Sequence, residues 1–117
     1  SALSTMRAHW HLASGDAASA KTKSTAALAQ ATTDSDKANA LRSLAQIGLA
    51  QNELASATEQ ATQALALDQS LGASLRVIAD LNLLASIYGK AGNSRKETEY
   101  AELGRSAAAA RARLGAK

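Results

Sequence analysis

Cysteine, proline and phenylalanine are absent from this chain of 117 residues, which also has only one tryptophan and two tyrosines. Without cysteine the protein has no disulfide bond, no thiolate metal ligand and no thiol nucleophile. Without proline it lacks the residue that most strongly breaks a helix. Because aromatic side chains are so few, the core must be thin and built mainly from leucine, isoleucine and alanine.

The sequence also lacks a long apolar run and a strong charge of either sign. No stretch of about 18 consecutive apolar residues occurs, so we predict no direct insertion of this segment into a membrane. The formal net charge is +3 at pH 7, and no basic block is interleaved with aromatic residues, so we expect no nucleic-acid partner. The amino terminus lacks the regions of a signal peptide. Since a leader or an anchor could be missing upstream, both the cytoplasm and the periplasm stay open.

The carboxyl end of the chain is its most basic part. Arg105, Arg111, Arg113 and Lys117 follow Glu102 with no further acidic residue. Cations in the last turns of a helix interact favourably with the helix dipole. We therefore interpret these residues as part of a helix terminus and not as a patch for lipid or nucleic acid.

Alanine makes up about a quarter of the residues, well above its average usage. Alanine has the best intrinsic helix propensity, so the sequence predicts an all-α fold. Its small side chain also lets helix backbones approach closely, which suits stacked helix pairs better than a globular ball. The same composition, with few aromatic residues and no cysteine, is typical of a bacterial protein.

Three stretches of the chain can be aligned as internal repeats. In each, a large apolar residue stands five positions before a glycine or an asparagine: Trp10 and Gly15, Ile47 and Asn52, Ile87 and Gly92. The turn positions are 37 and then 40 residues apart. Glycine and asparagine can adopt the left-handed conformation that ends a helix, so each unit divides into two helices at this position.

We predict six helices, near residues 2–13, 17–31, 36–51, 54–71, 74–90 and 94–114, arranged as three antiparallel pairs. The repeat units cover about 1–33, 34–72 and 73–117, within a single domain that we expect to be a piece of a longer protein. Asp16 is a predicted helix cap, and Ser94 with Glu97 has the pattern of a capping box.

The apolar periodicity predicts which face of each helix points inward. The predicted inward residues are Leu41, Leu44, Ala45, Ile47 and Gly48 in the third helix, Ala57, Ala61, Ala64, Leu65 and Leu71 in the fourth, and Leu81, Leu84, Ala85 and Tyr88 in the fifth. One helix pair cannot bury such a stripe alone. Neighbouring pairs must therefore stack into a short α-solenoid.

Residues in two of the units also match a known family pattern: Leu41, Leu44, Ala45, Ile47, Asn52, Ala57, Ala61 and Ala64 to Asp68, then Leu81, Leu84, Ala85, Tyr88 and Gly92. This pattern resembles the tetratricopeptide repeat (TPR) family, in its longer-period variety, with about three repeats. The resemblance implies a TPR-like right-handed superhelix. Glu97 and Arg105 stand where the family has a small and an apolar residue, so we expect the last helix to be a terminal cap with one face in water.

The only tryptophan lies between the only two histidines, His9 and His11. Histidines two residues apart lie on different faces of a helix, and the metal-binding i, i+4 spacing is missing, so we predict no metal site. Trp10 aligns with Ile47 and Ile87 and is predicted to be a core residue. The sequence has no glycine-rich phosphate loop, no Ser-His-Asp arrangement that the helices would bring together and no spaced pair of carboxylates in a cleft. We therefore predict no cofactor and no catalytic residue, and a protein that is not an enzyme.

In the TPR family the first helix of each pair lines a concave groove that binds peptides or partner helices. Carried over residue by residue, the resemblance implies a partner-binding groove made of Thr5, His9, Leu12, Asn39, Arg42, Gln46, Leu49, Asn82, Ser86 and Lys90. Asn39, Arg42 and Asn82 partly match the set with which some family members hold a C-terminal carboxylate.

Three functional hypotheses follow from this sequence. The first is a non-enzymatic module, or scaffold, for protein–protein interaction that binds a peptide or a helix of a protein partner in its concave groove. The second is a structural solenoid that self-assembles through its ends into a homo-oligomer. The third is the sensor or regulatory part of a larger regulator or enzyme.

Overall fold

The structure is a computed structural model that describes residues 17–115. Within this range the fold is all-α. Five helices follow one another along the chain: α1 (Ala17–Gln30), α2 (Asp34–Ala50), α3 (Leu54–Leu71), α4 (Ser74–Lys90) and α5 (Ser94–Gly115). The bounds of these five helices lie within two residues of the predicted ones. The predicted helix at 2–13 and the cap at Asp16 lie outside the described residues.

The turns after α2 and α4 share one backbone conformation. Asn52 has a φ of 63° and Gly92 a φ of 81°, so both residues adopt the predicted left-handed conformation. The amide of Glu53 donates to the carbonyl of Gly48, and the amide of Asn93, forty positions later, donates to that of Tyr88. The 40-residue repeat is therefore visible in the hydrogen bonds as well as in the sequence.

Two helix starts show which side chains act as caps. Thr33 precedes α2, and its hydroxyl accepts a hydrogen bond of 3.1 Å from the amide of Asp36. At α5 the predicted capping box is wrong by one residue, because the side chain of Asn93 and not that of Ser94 accepts from the amide of Lys96. Asparagine is at least as good an N-cap as serine, so the shift costs no stability.

The helices pack in adjacent pairs, with the largest contacts between α2 and α3 and between α4 and α5. Helix α4 also packs on α3, and α2 packs on α1, which gives an all-α helical repeat arrangement. The main core cluster consists of Ala45, Ala57, Ala61, Leu65, Leu81, Leu84 and Ile87. Nearly half of these residues are alanine, so the core is as thin as the composition predicts.

Close backbone approach explains the small residues of the α2–α3 pair. A methyl group added to Gly48 would lie 3.1 Å from Cβ of Ala57 and 3.3 Å from the carbonyl oxygen of Glu53. Glycine at this position therefore sets the distance between the two helices. The prediction that Leu71 points inward is wrong, since Leu71 is 44% exposed. The buried residue in the last turn of α3 is Asp68.

Helix α5 forms one end of the described stack. Among its residues only Gly104 is fully enclosed, and most of the others are exposed, as expected for a terminal helix. The ring of Tyr100 stacks on that of Tyr88, with centroids 5.5 Å apart and an interplanar angle of 10°. A search of the described residues finds no helix with the length and hydropathy needed to cross a membrane.

Candidate partner-binding site

The predicted groove residues of α2 and α4 lie on exposed helix faces. Asn39 and Gln46 are exposed on α2, and Asn82, Ser86 and Lys90 are exposed on α4. Within each helix these residues are spaced by about one or two turns, so they share one side of the helix. Gln46 and Ser86 are forty positions apart and occupy equivalent places in the two repeats.

The carboxyl-terminal ends of α2 and α4 are joined by a hydrogen bond between two of the predicted groove residues. The ammonium group of Lys90 donates a hydrogen bond of 3.1 Å to the backbone carbonyl of Leu49. Leu49 itself is half-buried and packs against the core cluster. The remaining predicted groove residues, Thr5, His9 and Leu12, lie outside the described residues.

A trough runs between α1 and α2. It consists of two cavities of about 500 Å³ and about 230 Å³ that share Ser43 in their lining. The predicted groove residue Asn39 lines the larger cavity and Gln46 the smaller one. Most of the described lining is alanine, serine or polar, and the charged residues in it are Lys23 and Asp36.

The repeat register shows what a surface of this kind holds in the next unit. A shift of 37 residues takes Ala20 and Ala31 to Ala57 and Asp68 of α3, and a shift of 40 takes Ala40 to Asp80 of α4. At those equivalent positions the surface is covered by α2, which approaches Ala57 with Gly48 and both aspartates with Arg42. The trough is therefore equivalent to the seat of the first helix of a unit, and in the first unit that helix is the one predicted at 2–13, outside the described residues.

A buried ionic cluster joins α2, α3 and α4. The guanidinium group of Arg42 donates one hydrogen bond to Asp68 and another, of 2.6 Å, from Nε to Asp80. Both carboxylates are fully buried, whereas the side chain of Arg42 is 14% exposed. Arg76 adds a second cation, with Nε 3.1 Å from Asp68. The cluster ties the second predicted repeat unit to the third.

The outer edge of this cluster reaches the predicted groove. The remaining terminal nitrogen of Arg42 donates a hydrogen bond of 2.8 Å to the side-chain oxygen of Asn39. The resemblance places Arg42 among the groove residues, where it partly matches a carboxylate-binding set. In the structure its charge is instead neutralised by Asp68 and Asp80, and its exposed edge positions Asn39.

Asp80 has a strongly raised pKa in this cluster. Burial makes the largest contribution, a hydrogen bond with Asp68 also raises the pKa of Asp80, Arg42 opposes both effects, and the resulting pKa is about 7. Burial alone would lower the pKa of Arg42, but its hydrogen bonds and charge interactions with Asp80 and Asp68 outweigh burial and raise it. Oδ2 of Asp80 is buried and accepts no hydrogen bond from the described protein. A proton on Asp80, donated to Asp68, satisfies both carboxyl groups.

This cluster was not predicted from the sequence, because no spaced pair of carboxylates is visible in it. Asp68 and Asp80 are twelve positions apart on different helices, and α-helical periodicity does not relate them. A signal was nonetheless present, since each aspartate interrupts an otherwise apolar or small-residue inward face. A charge on such a face needs a buried counter-charge, and Arg42 was the matching residue on α2.

Between residues 17 and 115 no group of three or more histidine, cysteine, aspartate or glutamate side chains is arranged to hold a metal ion. The buried pair of carboxylates is neutralised by two arginines and is closed to solvent. We therefore assign it a structural role.

The fold and the site together define an all-α helical repeat arrangement with an exposed polar face on α2 and α4 and an internal ionic cluster. Comparison with protein-family models, with curated proteins and with solved structures finds no match to this chain.

Proposed function

We propose that this chain is a non-enzymatic protein-interaction module that binds a helix or a peptide of a partner protein on the side formed by α2 and α4. The resemblance to TPR proteins supports this proposal, because such proteins bind their ligands along the first helices of their pairs. The exposed faces of α2 and α4 carry the polar side chains that such binding requires.

The observation that carries the proposal is the exposed polar face shared by α2 and α4. Asn39 and Gln46 are exposed on α2, and Asn82 and Ser86 are exposed on α4. Gln46 and Ser86 occupy equivalent places in the two repeats, so the face continues from one unit to the next. Amide and hydroxyl groups of this kind can bond to the backbone or to polar side chains of a partner segment.

The arrangement also indicates which partner chemistry to expect. Arg42 is neutralised internally, so the carboxylate clamp of some TPR proteins is not the favoured mode. Among the exposed groove residues that the structure describes only Lys90 is charged, and the others carry amide or hydroxyl groups. A partner segment that is held mainly by hydrogen bonds between uncharged groups fits this face best.

The test combines site-directed cross-linking with a blocking variant. A photo-cross-linking amino acid replaces Gln46 on α2 or, as a matched control, the exposed Gln63 on α3. A protein captured from the position of Gln46 alone is then purified and titrated against the parent, Ser86→Arg and Thr62→Arg. Both hydroxyl groups are exposed and donate to the backbone carbonyl four residues earlier, but only Ser86 lies on the polar face of α2 and α4.

We expect Ser86→Arg to weaken binding of the purified partner at least tenfold, because the long charged side chain obstructs the polar face, and Thr62→Arg to leave it unchanged. Equal affinities for both variants would refute this face as the binding site. Circular dichroism of both variants checks that the helical fold is retained.

A further inference from the structure

An open cavity lies where the first turn of α4 meets the last turns of α5. Its volume is about 440 Å³, and its described lining consists of Ala73, Ser74, Leu75, Arg76 and Arg111. Two of these residues are arginines and none is acidic. Two guanidinium groups at one recess repel each other unless an anion lies between them. The lining is therefore suited to a negatively charged ligand.

Arg76 is held in place from its inner side. Nε of Arg76 donates a hydrogen bond of 3.1 Å to the fully buried carboxylate of Asp68, and the Arg76 side chain is 36% exposed. Among the described residues this is the one side-chain hydrogen bond of Arg76, so its two terminal nitrogens are available at the cavity. Because the bond to Asp68 already fixes the planar guanidinium group, little further freedom is lost when the terminal nitrogens bind an anion.

Arg111 lies across the cavity on α5. Gly104 and Ala107 precede it by seven and four residues, so the three residues lie on the side of α5 that packs against α4. Arg111 is exposed, and between residues 17 and 115 it forms no ion pair. A cation on the packed side of a helix, next to a second cation, needs a negative charge from another source.

The described protein does not balance the charges at this cavity. Arg42 and Arg76 share the carboxylate of Asp68, and Arg42 also binds Asp80. With Arg111, three cations are present beside two carboxyl groups, and a proton on Asp80, whose pKa is about 7, removes one of the two negative charges. An excess of one to two positive charges therefore remains, on the outer side at Arg76 and Arg111. A dianion matches this excess better than a monoanion.

An apolar recess of about 300 Å³ adjoins the cavity, and Ser74 and Arg111 line both. Val77 of α4 and Ala107 and Ala110 of α5 supply apolar side chains to this recess. Sites for small molecules commonly combine apolar walls with a few polar or charged groups that fix the orientation of the ligand. The two cavities together suit a ligand with an anionic head and a short apolar part.

We propose that this site binds a small organic phosphate, a phosphate monoester whose phosphoryl oxygens accept hydrogen bonds from Arg76 and Arg111 and whose carbon part lies in the apolar recess. Two guanidinium groups on different helices match a tetrahedral phosphoryl group better than a planar carboxylate, which a single arginine can hold with two bonds. A phosphate monoester is also a dianion above its second pKa of about 6.

The size of the recess distinguishes between two sources of a phosphoryl group. A volume of about 300 Å³ accommodates a short aliphatic group but not the two acyl chains of a phospholipid. The proposed ligand is therefore a free small molecule and not a lipid headgroup. The site contains none of the residues on the polar face of α2 and α4, so this proposal is independent of partner binding on that face.

The first test is a titration of the isotope-labelled full chain with hexyl phosphate, followed by the backbone amide NMR signals. At about pH 7.5 hexyl phosphate is a dianion, and we expect saturable shifts at Ser74, Arg76 and Arg111 with a dissociation constant of about 1 mM or below. Inorganic phosphate, which lacks the apolar part, should bind at least about tenfold more weakly. Hexanol should produce no saturable shift. No saturation by hexyl phosphate, or equal shifts with hexanol, overturns the proposal.

A matched pair of variants tests the cations. Arg111→Gln and Arg113→Gln change the net charge equally, and both arginines are exposed on α5, but only Arg111 lines the site. We expect Arg111→Gln to raise the dissociation constant of hexyl phosphate at least about tenfold and Arg113→Gln to raise it less than about twofold. Equal effects of the two variants would indicate a general attraction to the basic end of α5 and would overturn the site. Circular dichroism checks that both variants keep the helical fold.

A second pair of variants tests the apolar recess. Ala110→Leu places a larger side chain in the recess, whereas Ala109 is exposed and lines neither cavity, so Ala109→Leu is the control. We expect Ala110→Leu to weaken binding of hexyl phosphate at least about fivefold and to leave binding of inorganic phosphate unchanged. If the two leucine variants bind hexyl phosphate equally, the carbon part of the ligand does not lie in this recess and the proposal is refuted.

Vesicles test the source of the phosphoryl group. Phosphatidic acid in a phosphatidylcholine bilayer presents the same phosphate monoester on a membrane surface, and we expect the chain not to sediment with such vesicles at physiological salt. Sedimentation with the vesicles in the absence of binding to hexyl phosphate would assign this surface to a membrane and overturn the proposal.

Discussion

The two complete helix pairs of the described stack share a backbone plan but are held together by different chemistry. Between the pair α2–α3 and helix α4, the contact includes Arg42 and two fully buried aspartates. In the pair α4–α5, the equivalents of Arg42 and Asp68 are Asn82 and Ala108, both exposed, and the contact relies on two stacked tyrosines. One repeat thus has a polar centre and the other an aromatic one.

The difference shows where each kind of interaction can stabilise the fold. The carboxylates lie in the middle of the described stack, where α2, α3 and α4 enclose them. An end helix has water on one face, and a buried ion pair there could not be enclosed. An aromatic pair needs no enclosure, because its stacking is favourable even when the rings are half-buried.

Removal of the shared cation should have the largest effect on stability. Arg42→Met leaves two buried carboxyl groups without their main counter-charge, and we expect the free energy of unfolding to fall by about 3–5 kcal/mol. Asn82→Met, at the equivalent exposed position, should change it by less than about 0.5 kcal/mol. Urea unfolding followed by circular dichroism measures both. Similar losses for the two variants would mean that the cluster does not stabilise the stack.

The pH dependence of stability should identify Asp80. Its pKa is about 7 in the folded chain and about 3.9 in an unfolded one. The folded state therefore binds more protons between these values, and the free energy of unfolding decreases as the pH rises from about 4 to about 7, by at most about 4 kcal/mol. Below this window the contribution of Asp80 is fully present, and above it the contribution is lost.

Asp80→Asn is the matched variant, because the amide resembles the protonated carboxyl group. The side-chain amide introduced in this variant can donate a hydrogen bond to Asp68 and accept one from Arg42 at any pH. The decrease in the free energy of unfolding between about pH 4 and about pH 7 should therefore disappear. Both proteins retain His9 and His11, so the titration of these side chains cancels in the difference between the two curves. Parallel curves across the window would exclude a raised pKa at Asp80.

The smallest effect on stability is expected at the stacked tyrosines of the pair α4–α5. Tyr100→Leu keeps an apolar side chain but removes the stacked ring, so it should lower the free energy of unfolding by about 1 kcal/mol. Tyr100→Phe keeps the ring and should lie within about 0.5 kcal/mol of the parent. Thermal unfolding compares the three proteins. A loss as large as that of Arg42→Met would show that the two pairs do not differ in the way proposed.

Local patterns were sufficient for much of this fold. Alanine content and apolar periodicity predicted the five described helices, and Asn52 and Gly92 marked their turns, because helix propensity and left-handed turns depend on neighbouring residues in the chain. The inward faces of α2 and α4 were predicted for the same reason. Leu71 was placed on the wrong side because it lies at the end of α3, beyond the part of the helix that its neighbours cover.

The candidate site was only partly predictable. The polar residues on the exposed faces of α2 and α4 could be read from their positions in the repeat. The neutralisation of Arg42 could not be predicted in this way, because its partners lie 26 and 38 residues away on two other helices. The exposure of Leu103 and Leu114 on α5 was not predicted either, since spacing alone cannot show which leucines a neighbouring helix covers.

The helices, their turns and their grouping into repeats could be predicted from the sequence, because each of these depends on interactions within a few residues. The packing of separate helices fixes which charges meet in the interior, which residues line the trough between α1 and α2, and which leucines of α5 stay exposed. These features depend on the packing of separate helices, and a small shift in their relative position would bring different side chains together.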